Sequence, residues 1–240
     1  MSITIAVPGY ARLRVGTVRG LVVQGSRQSL ESILQQESLY EHAARQPAAR
    51  QFQGRAIAYA ITLADGSGDV VVRHSMRGGL LGKTGSDLFL PPTRGLREVM
   101  NAVRLTAAGV PTPEVVAFVS YPVGGIFRRS DVATREIANS HDLATVLRKP
   151  DEPGAMDSCL RAAGRLLALM ARAGAHHPDL NARNVLITWD GERGATAHVL
   201  DVDRIRFHVP GDPMVGDANM KRLERSLLKL RDTEELAVTP

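Results

Sequence analysis

Four side chains in the second half of the chain have types and spacing suited to chemistry on a hydroxyl group. His177, Asp179 and Asn184 lie close together, and Asp201 follows at the end of a predicted β-hairpin. An aspartate carboxylate can orient a hydroxyl group and accept its proton, while amide and carboxylate oxygens are ligands that Mg²⁺ prefers. The pattern predicts Asp179 as a general base, and Asn184 and Asp201 as metal ligands.

The spacing of these residues matches the H-x-D-x-x-x-x-N pattern of kinase catalytic loops, and Asp201 falls where kinases carry a metal-binding aspartate. We group His177 with Asp179 in the catalytic set, and its expected task is to hold the loop backbone by hydrogen bonds. In the alternative interpretation, Asp179 and Asn184 are turn and cap residues and Asp201 is a surface acid after a strand.

The elements that must position these residues change in type along the chain. The first half is predicted to be rich in strands, with one helix over Ser29–Arg45 and another over Arg94–Ala108. The second half is mainly helical, with helices at Met156–Ala173 and at about Asn219–Leu230. This predicts an α+β fold of two lobes, a β-rich lobe over 1–138 and a short, mostly helical lobe over 139–240, with a cleft between them.

Composition narrows the class of protein. Of 240 residues, 44% are hydrophobic and 23% are charged with both signs mixed, which excludes intrinsic disorder. The net charge is +5, but scattered basic residues and 4% aromatics do not indicate a nucleic-acid partner. Cys159 is the single cysteine, and the N-terminus has no basic region before its apolar residues. We therefore expect a soluble, cytoplasmic protein.

Four segments, in order between about residues 52 and 230, resemble the lipopolysaccharide kinase family, and most of all the branch that phosphorylates 3-deoxy-D-manno-octulosonic acid (Kdo). The family typically shows H-x-D-L-N-A-x-N followed by I-D-F-D-R, R-H-Y-x-R-G-G-L, T-R-x-x-x-E-F with G-x-P-V-P, and N-L-x-R-L-x-R-S. The corresponding segments of this chain are residues 177–184 with 200–204, 73–80, 93–98 with 109–113, and 219–226. The first fifty residues match no pattern of the family.

The resemblance implies a protein-kinase-like fold, ATP with Mg²⁺, and phosphorylation of the 4-hydroxyl of Kdo attached to lipid A. It implies Asp179 as the base and Asn184 and Asp201 as metal ligands. It also implies that Glu98 pairs with the cation that anchors the phosphates, and that the segment from Glu136 to residue 139 is a hinge facing adenine. Gly54 lies where the family has G-R-G over the phosphates, with Ala56 in place of the second glycine.

The phosphate-anchoring cation has two candidates. Kinases carry a lysine on the third strand, whereas the aligned residue here is Arg73, and the only lysine before residue 149 is Lys83. Arginine can bind phosphate oxygens with two parallel hydrogen bonds and keeps its charge at any working pH. We favour Arg73, with Lys83 as the alternative. Ser75 and Val202 replace family aromatics, which affects the expected acceptor more than the expected reaction.

The chain length after residue 139 favours a small acceptor. About a hundred residues remain there, and no A-P-E motif follows Asp203 to build a platform for peptides. We expect a sugar or glycolipid acceptor and no nucleic-acid partner, and the sequence indicates no protein partner. The basic helix near the C-terminus is either a solvated face or a contact with the inner membrane surface.

Three alternative functions remain open on the sequence alone. A kinase of another sugar or small molecule, similar to the aminoglycoside phosphotransferases, would share the same loop. A nucleotide-binding pseudokinase is a second alternative, although the three functional positions Asp179, Asn184 and Asp201 are all kept. A metal-dependent hydrolase using His176 and the neighbouring acids is the third, but the spacing does not fit the H-E-x-x-H zinc pattern.

Overall fold

The computed structural model describes residues 6–53, 56–75, 94–148, 155–190 and 194–233. The chain folds into two compact units. The first contains Met1–Met100 and Glu114–Glu136, and the second contains Asn101–Pro113 and Ile137–Pro240. Each unit therefore draws on two separate stretches of sequence, and the chain passes from one unit to the other within the helix that includes Met100 and Asn101.

A seven-stranded antiparallel sheet forms the frame of the first unit. Its strands lie in the spatial order β1-β2-β6-β7-β5-β4-β3. They are β1 (Tyr10–Val15), β2 (Val18–Val23), β3 (Arg50–Phe52), β4 (Ala58–Thr62), β5 (Asp69–His74), β6 (Val115–Pro122) and β7 (Arg128–Arg135). Residues before position 50 therefore supply two strands of this sheet, because β2 pairs with the inner strand β6.

Two short helices, α1 (Arg27–Leu34) and α2 (Leu39–Arg45), occupy the region where the sequence predicts a single helix over Ser29–Arg45. The break has a local cause. Ser38 accepts a hydrogen bond from the backbone of Glu41, whose side chain accepts one from the backbone of Ser38, so a capping box starts a new helix. The buried side chains of both helices pack in one core with inward-facing residues of the sheet: Leu13, Val22, Leu30, Leu34, Leu39, Ala43, Ile61, Val70, Val72, Ala117, Val119 and Ala133.

Helix α3 (Arg94–Ala107) begins in the first unit and lies very close to the opposite face of the sheet. A Cβ atom built on Gly95 would overlap the Phe118 ring and would be 3.0 Å from a methyl group of Val132. Only glycine allows this approach. The close contact fixes the start of the helix over β6 and β7, and Glu98 follows one turn later.

The second unit combines small sheets with helices. It contains β8 (Ser140–Asp142), α4 (Leu143–Arg148), α5 (Ala155–Arg172), β9 (Ala175–His176), β10 (Val185–Asp190), β11 (Gly194–Val199), β12 (Arg206–Phe207) and α6 (Pro213–Asp232). Strands β11, β10 and β8 form one sheet in that order, and β9 pairs with β12. Residues 101–113 belong here because Thr112 and Pro111 hydrogen-bond to Val199, with Thr112 Oγ1 2.9 Å from the Val199 carbonyl oxygen.

Helix α6 starts earlier than the sequence prediction of about Asn219. Asp212 caps it by accepting a hydrogen bond from Met214 N at 2.9 Å, and Pro213 occupies the first turn. The mixed α and β character, with a large antiparallel sheet followed by C-terminal helices, agrees with the predicted class. In the described part of the chain, every helix is too short or too polar to cross a bilayer.

Candidate active site

The loop between β9 and β10 holds the predicted general base in a network of local hydrogen bonds. The side-chain amides of Asn181 and Asn184 both donate to the main-chain oxygen of Asp179, at 2.9 and 3.1 Å. Asn184 N also donates to Asn181 O at 3.0 Å, within a 3₁₀ turn over Ala182–Asn184. These bonds fix the backbone of Asp179, whose own side chain is partly exposed.

His177 is fully buried and holds the loop by hydrogen bonds. Its Nε2 lies 3.0 Å from the carbonyl oxygen of Leu200, which can only accept, so Nε2 carries the proton and Nδ1 accepts from Asp179 N at 3.2 Å. Burial lowers the pKa of His177, and the nearby carboxylates, Asp201 first, act in the opposite direction. The sequence groups His177 with the catalytic residues. Its burial corrects this, because a side chain without exposed surface positions Asp179 and does not touch a substrate.

Two residues of α6 hold the same loop, and the sequence predicts a role for neither of them. The buried Asn219 accepts from His177 N at 3.0 Å and donates to Ala175 O at 2.9 Å. Further along the same helix, Ser226 Oγ accepts from Ala182 N at 3.1 Å. Both residues lie in the segment matching N-L-x-R-L-x-R-S, so the available signal was a polar residue repeated at a seven-residue spacing on an otherwise apolar helix face.

Asn184 and Asp201 offer the kind of oxygen atoms that Mg²⁺ takes as ligands. Because the Asn184 amide nitrogen donates to Asp179 O, the oxygen is the atom that the side chain presents elsewhere. Asp201 is exposed and adopts left-handed backbone angles, φ 52° and ψ 44°. An aspartate oxygen with an amide oxygen fits a hard divalent cation. The donor set therefore fits magnesium.

Arg204 forms an ion pair with the Asp179 carboxylate through Nη1 and Oδ2. Arg204 ends a 3₁₀ turn over Val202–Arg204, and Asn101 supports this turn by donating to Val202 O at 2.7 Å and to Ile205 O at 3.2 Å. The ion pair links two segments that lie 25 residues apart. Neither composition nor periodicity signals this pairing.

In the first unit, Arg73 and Glu98 form an ion pair between β5 and α3. Glu98 is 5% exposed, while a third of the Arg73 side chain remains accessible. The structure thus brings together the two residues that the sequence predicts as the phosphate-anchoring cation and its carboxylate partner. The alternative cation Lys83 and the loop residue Gly54 lie outside the described residues.

Glu136, predicted to face adenine, uses its carboxylate in another contact. Its two oxygens accept from Arg50 Nη1 and Nη2 at 2.8 and 2.5 Å, and its backbone N–H donates to Asp69 O at 2.9 Å. Both its side chain and its amide are therefore occupied within the first unit. The prediction concerns the segment from Glu136 to residue 139 as a hinge and not the Glu136 carboxylate in particular, and it stays a prediction.

No group of three or more histidine, cysteine or acidic side chains placed to hold a metal ion occurs within the described ranges. This includes His176 and the acids near it, which the hydrolase alternative requires. His176 instead stacks edge-on against His208, with ring centroids 5.7 Å apart.

Comparison with known proteins gives consistent matches. The model of the lipopolysaccharide kinase (Kdo/WaaP) family matches residues 41–237. A 3-deoxy-D-manno-octulosonic acid kinase of Haemophilus influenzae (strain PittEE) is 32% identical over 187 residues, 74% of this chain and 73% of that protein. The enzyme of the same name from Vibrio vulnificus (strain CMCP6) is 32% identical over 168 residues, 67% of this chain and 65% of that protein.

A solved structure of WaaP in complex with acyl carrier protein is similar in fold. Its TM-score is 0.53 and its sequence identity is 19%, with 86% of this chain and 83% of that chain covered. At this identity the likeness concerns the fold alone.

Proposed function

Because the chain belongs to the lipopolysaccharide kinase (Kdo/WaaP) family, and is accordingly a phosphotransferase acting on a sugar, we propose that it transfers the γ-phosphoryl group of ATP to a hydroxyl group of Kdo attached to lipid A. The proposed setting is the cytoplasmic side of the inner membrane. The proposed architecture is the two-lobed kinase arrangement, with the first unit as the nucleotide-binding lobe and the second as the catalytic lobe. The observation that carries the proposal is the hydrogen-bonded loop that orients Asp179.

Asp179 is the proposed general base. Its main-chain oxygen receives two amide donors and its N–H is bonded to His177, so the carboxylate leaves the loop in a fixed direction. Arg204 further orients this carboxylate through Oδ2. A fixed carboxylate can accept a hydroxyl proton as the phosphoryl group is transferred, without an added entropic cost of ordering.

Asn184 and Asp201 are the proposed magnesium ligands. Magnesium supplies, when bound, positive charge that neutralises phosphate oxygens. The left-handed backbone of Asp201 turns its side chain out at the end of β11, where it is exposed.

Arg73 is the proposed phosphate anchor. Its guanidinium group is a planar set of N–H donors suited to phosphate oxygens, and a third of the side chain is accessible beside the ion pair with Glu98. Glu98 is buried, and a buried carboxylate is stable only beside a partner, which keeps Arg73 in one orientation. In this proposal, Arg73 anchors the phosphates as a lysine does in most kinases.

The test is transfer of γ-labelled phosphate from Mg·ATP to purified Kdo-lipid A. Asp201→Asn is the control variant expected to be inactive, since asparagine tolerates the same backbone angles but removes the carboxylate. Asp179→Asn should keep most of the Mg·ATP affinity and lose about 10²–10⁴-fold in turnover, the usual contribution of a positioned base. Turnover unchanged in Asp179→Asn would end its assignment as the base.

The acceptor is tested in the same assay. ATP turnover without label on this lipid would favour the kinase of another sugar, of the aminoglycoside phosphotransferase type. ATP binding with no turnover on any sugar would favour the pseudokinase. The solved WaaP structure is a complex with acyl carrier protein, so that carrier is the one protein partner we propose to test, by co-purification, although the sequence alone offers none.

A further inference from the structure

The turn between β6 and β7 exposes apolar side chains at the end of the large sheet. Ile126 is 65% exposed and Phe127 is 42% exposed, and they follow Gly124 and Gly125, both at positive φ. Val123 N donates to Phe127 O at 3.0 Å, so the turn is a closed, hydrogen-bonded element. We call residues 122–127 the hairpin tip. An isoleucine and a phenylalanine side by side at the end of an ordered turn form an apolar point on the surface.

Three arginines flank the hairpin tip on one face of the sheet. In β1 and β2, Arg14 lies directly opposite Arg19, and Arg19 lies opposite Ser120 of β6. Ser120 is opposite Ser130, and Arg128 is two residues nearer the tip in the same strand, so its side chain points to the same face. These residues, Arg14, Arg19 and Arg128, form the arginine cluster.

The arginine cluster has no acidic neighbour in its own strands. In the described segments 10–23 and 115–131 the only acidic residue is Asp131, which is fully buried and bonded to His74 at 2.6 Å. Arg19 and Arg128 donate to backbone carbonyl oxygens of their turns, at 2.5 and 3.1 Å, which holds them near the tip. Like charges directly opposite in a sheet cost free energy, and an external anion removes that cost.

We propose that the hairpin tip and the arginine cluster dock this protein onto a bilayer that contains anionic phospholipids. Ile126 and Phe127 enter the interface between headgroups and acyl chains, and the arginines contact the phosphate groups. Reversible membrane binding commonly needs two such signals, an apolar insertion and a basic patch. The inference rests on the proposed function and deepens it, because Kdo-lipid A is a membrane lipid and its kinase must reach it at the bilayer surface.

This surface differs from the one that the sequence suggested, the basic helix near the C-terminus. In α6 the exposed Lys221, Arg222, Arg225, Lys229 and Arg231 are interspersed with the exposed acids Asp217, Glu224 and Asp232, and Arg231 donates to Asp232. The helix surface is therefore mixed in sign. It offers no concentrated positive potential of the kind that attracts a polybasic segment to a membrane.

The test measures sedimentation of the full-length protein with vesicles, independently of activity. Vesicles of phosphatidylethanolamine with phosphatidylglycerol are compared with vesicles of phosphatidylcholine alone. The wild type should bind the anionic vesicles, and more weakly as salt is raised. Ile126→Ser with Phe127→Ser should weaken binding about tenfold or more through lost apolar insertion. Arg14→Gln with Arg128→Gln should weaken it about 25-fold, at about fivefold for each charge.

Two comparison variants separate this surface from others. Lys221→Gln with Arg225→Gln removes two charges from α6, and Val209→Ser removes an apolar side chain that is 74% exposed in the second unit. Both should bind as the wild type does. Binding lost in the α6 variant and kept in the tip variant would overturn the proposal, as would a wild type that does not sediment with anionic vesicles.

Failure of this inference and failure of the proposed function give different results. Tip variants should keep the wild-type rate on Kdo-lipid A dispersed in detergent, where no bilayer is needed. A wild type that binds vesicles but transfers no phosphate would refute the kinase proposal and leave the docking surface standing. If the double tip variant folds poorly, as seen by circular dichroism, Ile126→Ser alone carries the test, because that side chain is the more exposed.

Discussion

Replacement of Asn219 by leucine should separate support of the catalytic loop from ordinary core packing. Leucine keeps a similar volume but has no polar side-chain atoms. The change would leave His177 N and Ala175 O without the partners that Asn219 supplies at 3.0 and 2.9 Å. Asn219 is completely buried, so water does not replace these bonds without rearrangement of α6.

The expected cost follows from those two atoms. A buried donor or acceptor that loses its partner costs about 1–3 kcal/mol, so two of them cost about 2–6 kcal/mol. That is a large part of the stability of about 5–15 kcal/mol usual for a protein of this kind. Asn219→Asp is a second variant: it keeps an acceptor for His177 N, but it replaces the donor to Ala175 O by a carboxylate oxygen in a fully buried site. It should cost at least as much as leucine.

The assay combines urea denaturation with steady-state kinetics. The denaturation midpoint should be lower than that of the wild type in both Asn219→Leu and Asn219→Asp, with the m-value unchanged. Under conditions where each variant is folded, kcat should fall more than the KM for ATP changes, because the loop carries Asp179 and not the nucleotide. Met220→Leu, at the exposed neighbouring position, should behave as the wild type. An unaltered kcat in folded Asn219→Leu would refute the role of Asn219 in positioning the loop.

Two further predictions follow from the other contacts. Arg73→Lys keeps the charge but loses the planar donor group, so it should raise the KM for ATP about tenfold or more. Glu98→Gln should raise the KM for ATP by a smaller factor. Equal ATP kinetics in wild type and Arg73→Lys would contradict the role of Arg73 as the phosphate anchor. Burial lowers the pKa of four histidines, so below their ordinary value of about 6.5 the unfolded chain binds protons that the folded chain does not. The four residues are His42, His176, His177 and His198. The midpoint of thermal unfolding should therefore fall as the pH is lowered from 7.5 to 5.5. A midpoint that stays constant or rises over this range would contradict the lowered pKa values of these histidines.

Sequence reasoning reaches furthest where chemistry depends on short spacing. Asp179 and Asn184 are five positions apart, and a loop of that length has few ways to direct both side chains, so the motif carries its own geometry. The pairing of Arg73 with Glu98 was accessible in another way, through the resemblance to the family, which implies that Glu98 pairs with the cation that anchors the phosphates.

Contacts distant in sequence could not be predicted in the same way. Asp131, fully buried in β7, accepts from Tyr40 N at 3.0 Å and bonds to His74, so it ties the first helices to the sheet. Nothing local distinguishes an aspartate in this position from a surface residue. Residues 1–50 match no pattern of the family, and their place in the sheet as β1 and β2 depends on pairing with β6, almost a hundred residues later. The sequence does signal the starts of α2 and α6, through the cap patterns Ser38-x-x-Glu41 and Asp212-Pro213. The predicted helix bounds do not include these two signals.

The backbone at Asp201 supports its proposed role by an argument independent of any motif. Most residues with a side chain give up about 1–2 kcal/mol at φ 52°, whereas aspartate, asparagine and glycine adopt such angles more readily. Of these three, aspartate is the one that offers a carboxylate, and at Asp201 it is exposed. Such strain is commonly retained where the side chain has a function. A carboxylate that must reach a metal ion from the end of β11, together with the amide oxygen of Asn184, would account for both the residue type and its conformation.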